Sequence, residues 1–515
     1  MTSTGPADGA GGRSVAVVGG GIAGLAAAWE LVNGPEPVRV TVLESADRLG
    51  GVLRSAPFAG RTVDLSADCF PADRPEAVDL SRELGLDGDL VAPGTSGASI
   101  VARGRLRRLP AGLQFGVPTR WWPLARSGIL APRHALALSR DVLLPHWPRQ
   151  VPIGDRPVAE IIEERLGRRV VEQLVDPIAG GGQAGGIGRL SAAATFPVLI
   201  AVGHQPGSLM RRLRTVARSS PADGSLSPPS SGAATRYRSL TGGVAGLADR
   251  LAGRLAGRGV TLLTGSTVDG LTRGEGQWEL EVREPVASGA PSALLDHRRL
   301  TVDGVVVATP ASQAAVLLGS AVPVAAGILG TIGFASVAVV LLSFDPGALR
   351  STRWGTGFMV PRSATVDGRP PLVTSCAYLS DTWPHLDGPG DILLRVTVGW
   401  AGDTRYQHLD DDELTAAVVR ELDLLVDLEA PPLASVVMRW PEALPQYDVG
   451  HLIRVALAEQ AVREVPGIAL CGASYRGSSI PACIAGGRAA AADVVRSMTG
   501  SPRRPDPSDG RGPHR

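Results

Sequence analysis

Lysine is absent from this chain, and all 51 basic residues are arginine. That excludes a Schiff base, a lysine general base and a Walker-type phosphate lysine. Cysteine is scarce. Cys69, Cys376, Cys471 and Cys483 form no Cys-x-x-Cys and share no metal spacing with the eight scattered histidines. No metal site is expected, and the cysteines read as free thiols in a reducing cytoplasm. Net charge is only +1, which gives no support for a nucleic-acid partner. A basic segment followed by an apolar one is missing from the N-terminus, so residues 1–12 read as a disordered leader rather than a signal peptide. One run, 321–344, carries no charge. Pro323, Gly327, Gly330 and Gly333 punctuate its first half, and β-branched text fills its second. It reads as a loop followed by a buried strand rather than a membrane span.

What is present is length, apolar content and glycine. The 515 residues suffice for two or three domains, and 44% hydrophobic content supports a large core. With 65 glycines and arginine in place of every lysine, the composition is that of a GC-rich genome. The most informative stretch is an apolar strand, Val15 to Val18, that runs into Gly19-Gly20-Gly21-Ile22-Ala23-Gly24 and an Ala-rich helix. Glycine is needed there because the backbone must approach a pyrophosphate with no Cβ in the way, while the helix N-terminus turns free N–H groups toward the phosphates. Glu44 ends the next apolar strand, where a carboxylate accepts hydrogen bonds from an adenosine ribose. The plain alternative is a Gly-rich turn in an ordinary βαβ unit.

Glu44 argues against a 2′-phosphate. The following text, Ser45-Ala46-Asp47-Arg48-Leu49-Gly50-Gly51, adds an arginine and a second glycine pair. Such a pair suits FAD proteins of the glutathione-reductase type, in which the chain crosses the pyrophosphate closely. Arg48 is expected either to pair with that pyrophosphate or to be a solvated surface arginine.

The fold class predicted is α/β (α+β overall). A discontinuous Rossmann-like FAD-binding domain is assembled from residues 13–75, 236–310 and 440–498. Inserted between these parts are a helical region at 76–217, substrate- or membrane-facing, and a substrate-binding α/β domain at 311–439. Within 76–217, helices are expected over Pro75–Leu84, around His134–Leu144 and over Val158–Leu174. Trp121, Trp122 and Trp147 lie among them, as cavity wall or ordinary core. Residues 218–235 are rich in Ser, Pro, Gly and Ala and read as a flexible loop, and 499–515 as a disordered tail.

Several narrower segments carry a resemblance. They are Glu83-Leu84-Gly85-Leu86, Arg107-Arg108-Leu109-Pro110-Ala111-Gly112 and Gly116-Val117-Pro118-Thr119. Trp440 follows, with Pro445-Gln446-Tyr447-Asp448-Val449-Gly450-His451, then Gly472-Ala473-Ser474-Tyr475 and Ile480-Pro481-Ala482-Cys483. In these the chain resembles the flavin-dependent protoporphyrinogen/coproporphyrinogen III oxidases, within the flavin amine oxidase superfamily, over about residues 13–497. The resemblance implies that Gly19 to Ala23, Glu44, Ser45 and Gly51 contact the ADP half of FAD. It places Val268 at the adenine, Ser66, Ala67, Asp68 and Cys69 beside the isoalloxazine, and Trp440, Ser478, Ser479 and Ile480 near the flavin. The chain departs from the family pattern at several of these positions. Serine replaces glycine at 66 and at a flavin contact in 478–479, alanine replaces aspartate at 482, and Gln183 stands where an aromatic is common.

The resemblance further implies a porphyrinogen substrate, six-electron oxidation with molecular oxygen as acceptor, peripheral membrane association and hand-off of product to a ferrochelatase. It leaves oligomeric state open. For a chain of this composition it implies coproporphyrinogen III rather than protoporphyrinogen IX. The flavin carries the difficult chemistry, and no catalytic triad or dyad stands out. Asp68 is the nearest ionisable candidate, with a structural carboxylate as the alternative. Arginine forks should meet the substrate carboxylates. Arg74 is the first choice, Arg120 and Arg189 follow, and each has a solvated surface arginine as its alternative. Three other readings stand beside this one. An amine oxidase is disfavoured by the missing lysine. A carotenoid desaturase lacks the Pro-Gln-Tyr segment. A flavin-binding paralogue with little turnover would suit the serine substitutions.

Overall fold

A computed structural model describes residues 12–36, 38–143, 154–203, 205–219, 236–285, 295–350, 353–388 and 390–499. All but the last residue of the leader, almost all of the 218–235 loop, Trp147 and all but the first residue of the C-terminal tail lie outside the described residues; Arg218 and Ser219 close the helix Leu209–Ser219.

The chain enters as β1 (Arg13–Val18), α1 (Ile22–Asn33) and β2 (Val38–Leu43), and its middle returns as β3 (Thr261–Leu263) and β4 (Gly304–Val307). Then β5 (Phe334–Phe344), β6 (Ile392–Val398) and β7 (Ala434–Pro445) build a second sheet. Helix α2 (His451–Arg463), β8 (Ile468–Leu470) and α3 (Ile480–Thr499) complete the first. The first sheet has five parallel strands in the order β3-β2-β1-β4-β8. Val15–Val18 and Val305–Val307 are apolar runs because both faces of the sheet are buried, one under α1 and α3 and the other under a three-stranded antiparallel sheet, Thr267–Arg273, Trp278–Pro285 and Leu295–Val302, together with helices. On one face α1 packs against α3 so closely that a Cβ at Gly487 would lie 2.1 Å from the Ala23 carbonyl oxygen. Only glycine lets the two helix backbones meet there.

The second sheet has seven strands, running β7-β5-β6, then Val373–Tyr378, Gly357–Met359, Ser99–Ala102 and Arg105–Arg108. Its last two strands come from the region expected to be helical, and β7 runs through the expected boundary at 439–440. Strand β5 contains the buried strand expected over 336–344 and begins two residues earlier. The stretch before it differs from expectation. Pro323–Leu329 is a helix, not a loop, because Pro323 occupies its first turn with φ preset and Ala325, Ala326 and Leu329 face the core. Among the described residues no helix is long and apolar enough to cross a membrane.

The expected helix Val158–Leu174 is broken. It stops at Leu166, Gly167 takes φ +84, and the chain re-enters as a π-helix over Val171–Gly180. The helix expected around His134 is two short ones, Pro132–Ala137 and Ser139–Leu143. Phe115, Ile129 and Leu130 are buried in the core of this region, whereas Trp122 is 54% exposed.

Candidate active site

The turn from β1 into α1 is a backbone cradle. Gly19 sits at φ +110, and a Cβ there would meet the Ala308 carbonyl oxygen at 2.9 Å. A Cβ on Gly24 would lie 1.9 Å from the Gly19 carbonyl oxygen. Helix α1 has no side-chain cap and no acidic residue in its first turn, so its leading N–H groups are left for an anion. The second glycine pair lies across this turn. Gly50 N donates to Gly20 O at 2.8 Å, and a Cβ on Gly51 would come within 3.0 Å of the Gly21 Cα. These glycines let the backbone close into a tight turn with its leading N–H groups free, and a Cβ on Gly21 would meet only the Gly51 Cα, at 4.0 Å; the residues fit a pyrophosphate.

Glu44 accepts from Gly20 N at 2.7 Å and from Ala46 N at 2.8 Å. A carboxylate has about four acceptor sites, which leaves room for ribose hydroxyls. Ser45 is exposed beside it. Gly265 N and Ser266 N donate to the Ala46 and Glu44 carbonyls. These bonds bring buried Val268 to the same end of the cradle. Arg48 differs from the pyrophosphate partner expected. Its guanidinium donates to the carbonyls of Leu49, Leu53 and Gly51, and so braces the glycine loop from behind.

The other end is built around residues 65–69. Trp440, on β7, donates its indole N–H to the Leu65 carbonyl at 2.8 Å. Arg395, in the middle of β6, donates to the Ser66 carbonyl at 2.7 Å and to Asp68 Oδ1 at 3.0 Å. The other Asp68 oxygen accepts from the Trp383 indole at 2.9 Å. Burial works to raise the Asp68 pKa, but the Arg395 charge and these hydrogen bonds outweigh it and hold the carboxyl below its usual value. Both oxygens are thus committed. The geometry gives Asp68 the part of an anchor for this segment rather than that of a free base. Next to it, burial pushes the Cys69 thiol well up, which keeps it neutral.

Helix α3 starts at Ile480, which shares a core cluster with Phe70. Ser479 stands just before it, with the Ala482 N–H 3.4 Å from its hydroxyl. Ser66, Ser478 and Ser479 all lie outside the left-handed region, while Gly477 takes φ +148. The serines therefore add side chains without backbone strain. The Pro-Gln-Tyr motif holds this corner. Tyr447 stacks on fully buried His451 at 4.0 Å, His451 Nε2 lies 2.8 Å from the Tyr475 carbonyl, and the Tyr447 hydroxyl donates to the Ala473 carbonyl.

The arginines favoured for substrate are on the surface. Arg74 and Arg120 are exposed at helix starts, and Arg189 is 82% exposed in an ion pair with Asp448. Gln183 is different, being buried with its backbone carbonyl accepting from Gln446 Nε2 at 2.8 Å. Sequence reasoning missed Arg395, Trp383, Arg362 and Trp400. Only Arg395 left a signal, as a lone charge inside the apolar strand Ile392–Val398.

Residues 22–495 match the family described as flavin containing amine oxidoreductase. The chain is 28% identical to a coproporphyrinogen III oxidase of Staphylococcus aureus (strain NCTC 8325 / PS 47) over 487 residues, covering 94% of this chain and 100% of the relative. It is 32% identical to the coproporphyrinogen III oxidase of Propionibacterium freudenreichii subsp. freudenreichii, covering 95% and 92%. Among solved structures, a protein of Exiguobacterium sp. 255-15 superposes with a TM-score of 0.80 at 28% identity, covering 94% of this chain and 99% of that one.

Proposed function

The chain belongs to the flavin-containing amine oxidoreductases, and from that premise we propose that it oxidises coproporphyrinogen III to coproporphyrin III in haem biosynthesis, with oxygen as acceptor. It is an FAD-dependent oxidoreductase. The substrate reading is carried by one observation: relatives aligned over nearly the whole chain bear the name coproporphyrinogen III oxidase.

The chemistry that FAD supplies when bound is two-electron oxidation, repeated to six electrons, with each pair passed to oxygen to give hydrogen peroxide. The chain's own residues bind and orient. Gly19 to Gly24 and Gly51 receive the pyrophosphate, Glu44 and Ser45 the ribose, and Val268 the adenine. Residues 66–69, held by Arg395 and Trp440, line the ring from one side, and Ser478 to Ile480 line it from the other. The macrocycle would be met on the Gln183 side of Trp440, where Ala184, Val337 and Trp400 form one small apolar cluster. Peripheral membrane contact is assigned to the helical face that exposes Trp122, Leu136 and Leu143 among arginines; failure to co-sediment with anionic vesicles would remove that assignment. Product passes from this site to a ferrochelatase in the same reading, and a ferrochelatase that leaves its release rate unchanged removes that step.

The test is direct. Purified protein with its bound yellow flavin is given coproporphyrinogen III, protoporphyrinogen IX and a simple amine under air. Fluorescent coproporphyrin with stoichiometric peroxide is the expected result. Preference for protoporphyrinogen IX shifts the substrate, oxidation of the amine moves the activity to another branch, and bound flavin with no product overturns the enzymatic reading.

A further inference from the structure

Two buried polar atoms, on Gln183 and Arg362, have no hydrogen-bond partner among the described residues. Gln183 is 5% exposed, and its side-chain Oε1 accepts no hydrogen bond. Arg362 has its Nε buried and equally unsatisfied. Its guanidinium lies 4.0 Å over the Trp400 ring, makes one long hydrogen bond of 3.4 Å to the Ala184 carbonyl and stands 3.9 Å from Asp176. Burial lowers the Arg362 pKa and raises that of Asp176, as befits a loosely made pair. About a third of the Arg362 side chain (32%) stays open. An arginine so placed is held by a ring and has donors to spare.

The surroundings are shaped for a ligand. The π-helix ends at Gly180, and Ala184 is buried at φ +44. Both irregularities concentrate at binding sites, because a packed scaffold must over-determine them. A Cβ at Gly186 would sit 3.0 Å from an Arg362 terminal nitrogen, so glycine there leaves the fork clear. Ala184 and Trp400 share one small apolar cluster with Val337, and Trp440 packs against it. Trp440 in turn holds the start of the segment beside the flavin. Arg362 and the Gln183–Ala184 turn therefore connect to that segment through this cluster and Trp440.

We propose that Arg362 is a specificity-determining residue that receives one carboxylate of the substrate's acidic side chains, while Gln183 Oε1 accepts a pyrrole N–H of the same macrocycle. This rests on the porphyrinogen reading above. The Gln183 acceptor has no hydrogen-bond partner, and the terminal Arg362 nitrogens carry a single long hydrogen bond; a carboxylated pyrrole ring offers what both would take. Leaving them unpaired otherwise costs stability.

The experiment compares wild type, Arg362→Leu, Arg362→Lys and Gln183→Leu, each flavin-loaded. For Arg362→Leu, KM for coproporphyrinogen III is expected to rise about 10- to 100-fold, the size of a lost charge-assisted hydrogen bond, with kcat falling less. For the tetramethyl ester of the same porphyrinogen it should rise less than threefold, since no carboxylate remains. Arg362→Lys should recover part of the loss, and Gln183→Leu should weaken acid and ester alike. Bound coproporphyrin III, followed by its fluorescence without turnover, should show the same order. Equal effects of Arg362→Leu on acid and ester, or unchanged coproporphyrin binding with flavin content intact, overturn the proposal. If wild type binds coproporphyrin but does not oxidise the porphyrinogen, the enzymatic reading falls while the binding arm still decides on Arg362. If it binds neither, both fall.

Discussion

Replacing Arg395 by leucine tests whether one ion pair sets the segment 65–69. The Arg395–Asp68 pair spans 3.0 Å, and its side chains are only 15% and 16% exposed. Removing one member of a buried pair costs roughly 3–5 kcal/mol, because the other charge is left behind without compensation. Asp68 would keep its bond from Trp383, which places this loss near the lower end, about 3 kcal/mol. The lost bond to the Ser66 carbonyl adds about 1 kcal/mol. The variant should therefore be less stable by about 4 kcal/mol and should retain less FAD. Adding Asp68→Asn removes the stranded charge and should return about half of that loss. Acid should help the single variant too. With Arg395 gone, burial, the largest influence on Asp68, is opposed only by hydrogen bonds such as that from Trp383 and lifts the folded Asp68 pKa above its unfolded value of about 3.9. The ionised form then carries a penalty that is relieved as pH falls through that raised value. Urea titration followed by tryptophan fluorescence measures each stability, and absorbance gives flavin content. An Arg395→Leu protein within about 1 kcal/mol of wild type, or a double-mutant cycle with no coupling, would refute the reasoning.

Gly24→Ala puts a Cβ 1.9 Å from the Gly19 carbonyl oxygen; FAD occupancy should fall about tenfold or more, read from flavin absorbance, and normal occupancy would mean that the turn does not cradle the cofactor. Asp64 is raised to about 6, chiefly by burial, despite hydrogen bonds from Ser55 and the Val244 N–H. Its ionised form thus carries a penalty present above about pH 6 and relieved toward pH 4, worth about 3 kcal/mol. Relative to Asp64→Asn, wild type should gain about that much stability between pH 7 and pH 4, and a pH-independent difference would discount the buried carboxyl. Burial holds His451 below its usual pKa, so folding stability should be lost as pH drops below about 6.5, where the unfolded ring protonates. His451→Phe keeps a ring against Tyr447 but loses the bond to the Tyr475 carbonyl; about 1 kcal/mol less stability at pH 8 and a shallower acid limb are expected, and an unchanged acid limb would count against His451.

The dinucleotide end was legible in the sequence because its determinants are local. Gly19, Gly21 and Gly24 lie within one turn, Glu44 closes the next strand, and the requirement they meet concerns backbone space, which only glycine provides. The motif around Gln446, Tyr447 and His451 was visible as a pattern. Its physical task was not: stacking His451 on Tyr447 to hold the Tyr475 carbonyl takes residues 24 apart and a fold to join them. Arg48 shows the reverse case. Its spacing suggested a phosphate partner, and the three carbonyls that take its N–H groups became visible only once the loop was folded.

By itself, then, the sequence determined the α/β class and the cofactor through short-range patterns that need no long-range information, and pointed to the family through the resemblance of its short motifs. The tertiary structure alone decided which side chains meet around residues 65–69 and around the Gln183 turn. Asp68 meets Arg395 across 327 positions and Trp383 across 315. Arg362, Trp400 and Gln183 converge from three separate stretches of chain. Arginine is abundant here and mostly exposed, so no local signal separates the few that are buried from the many that are not; only packing desolvates them, and desolvation gives a charge its specificity.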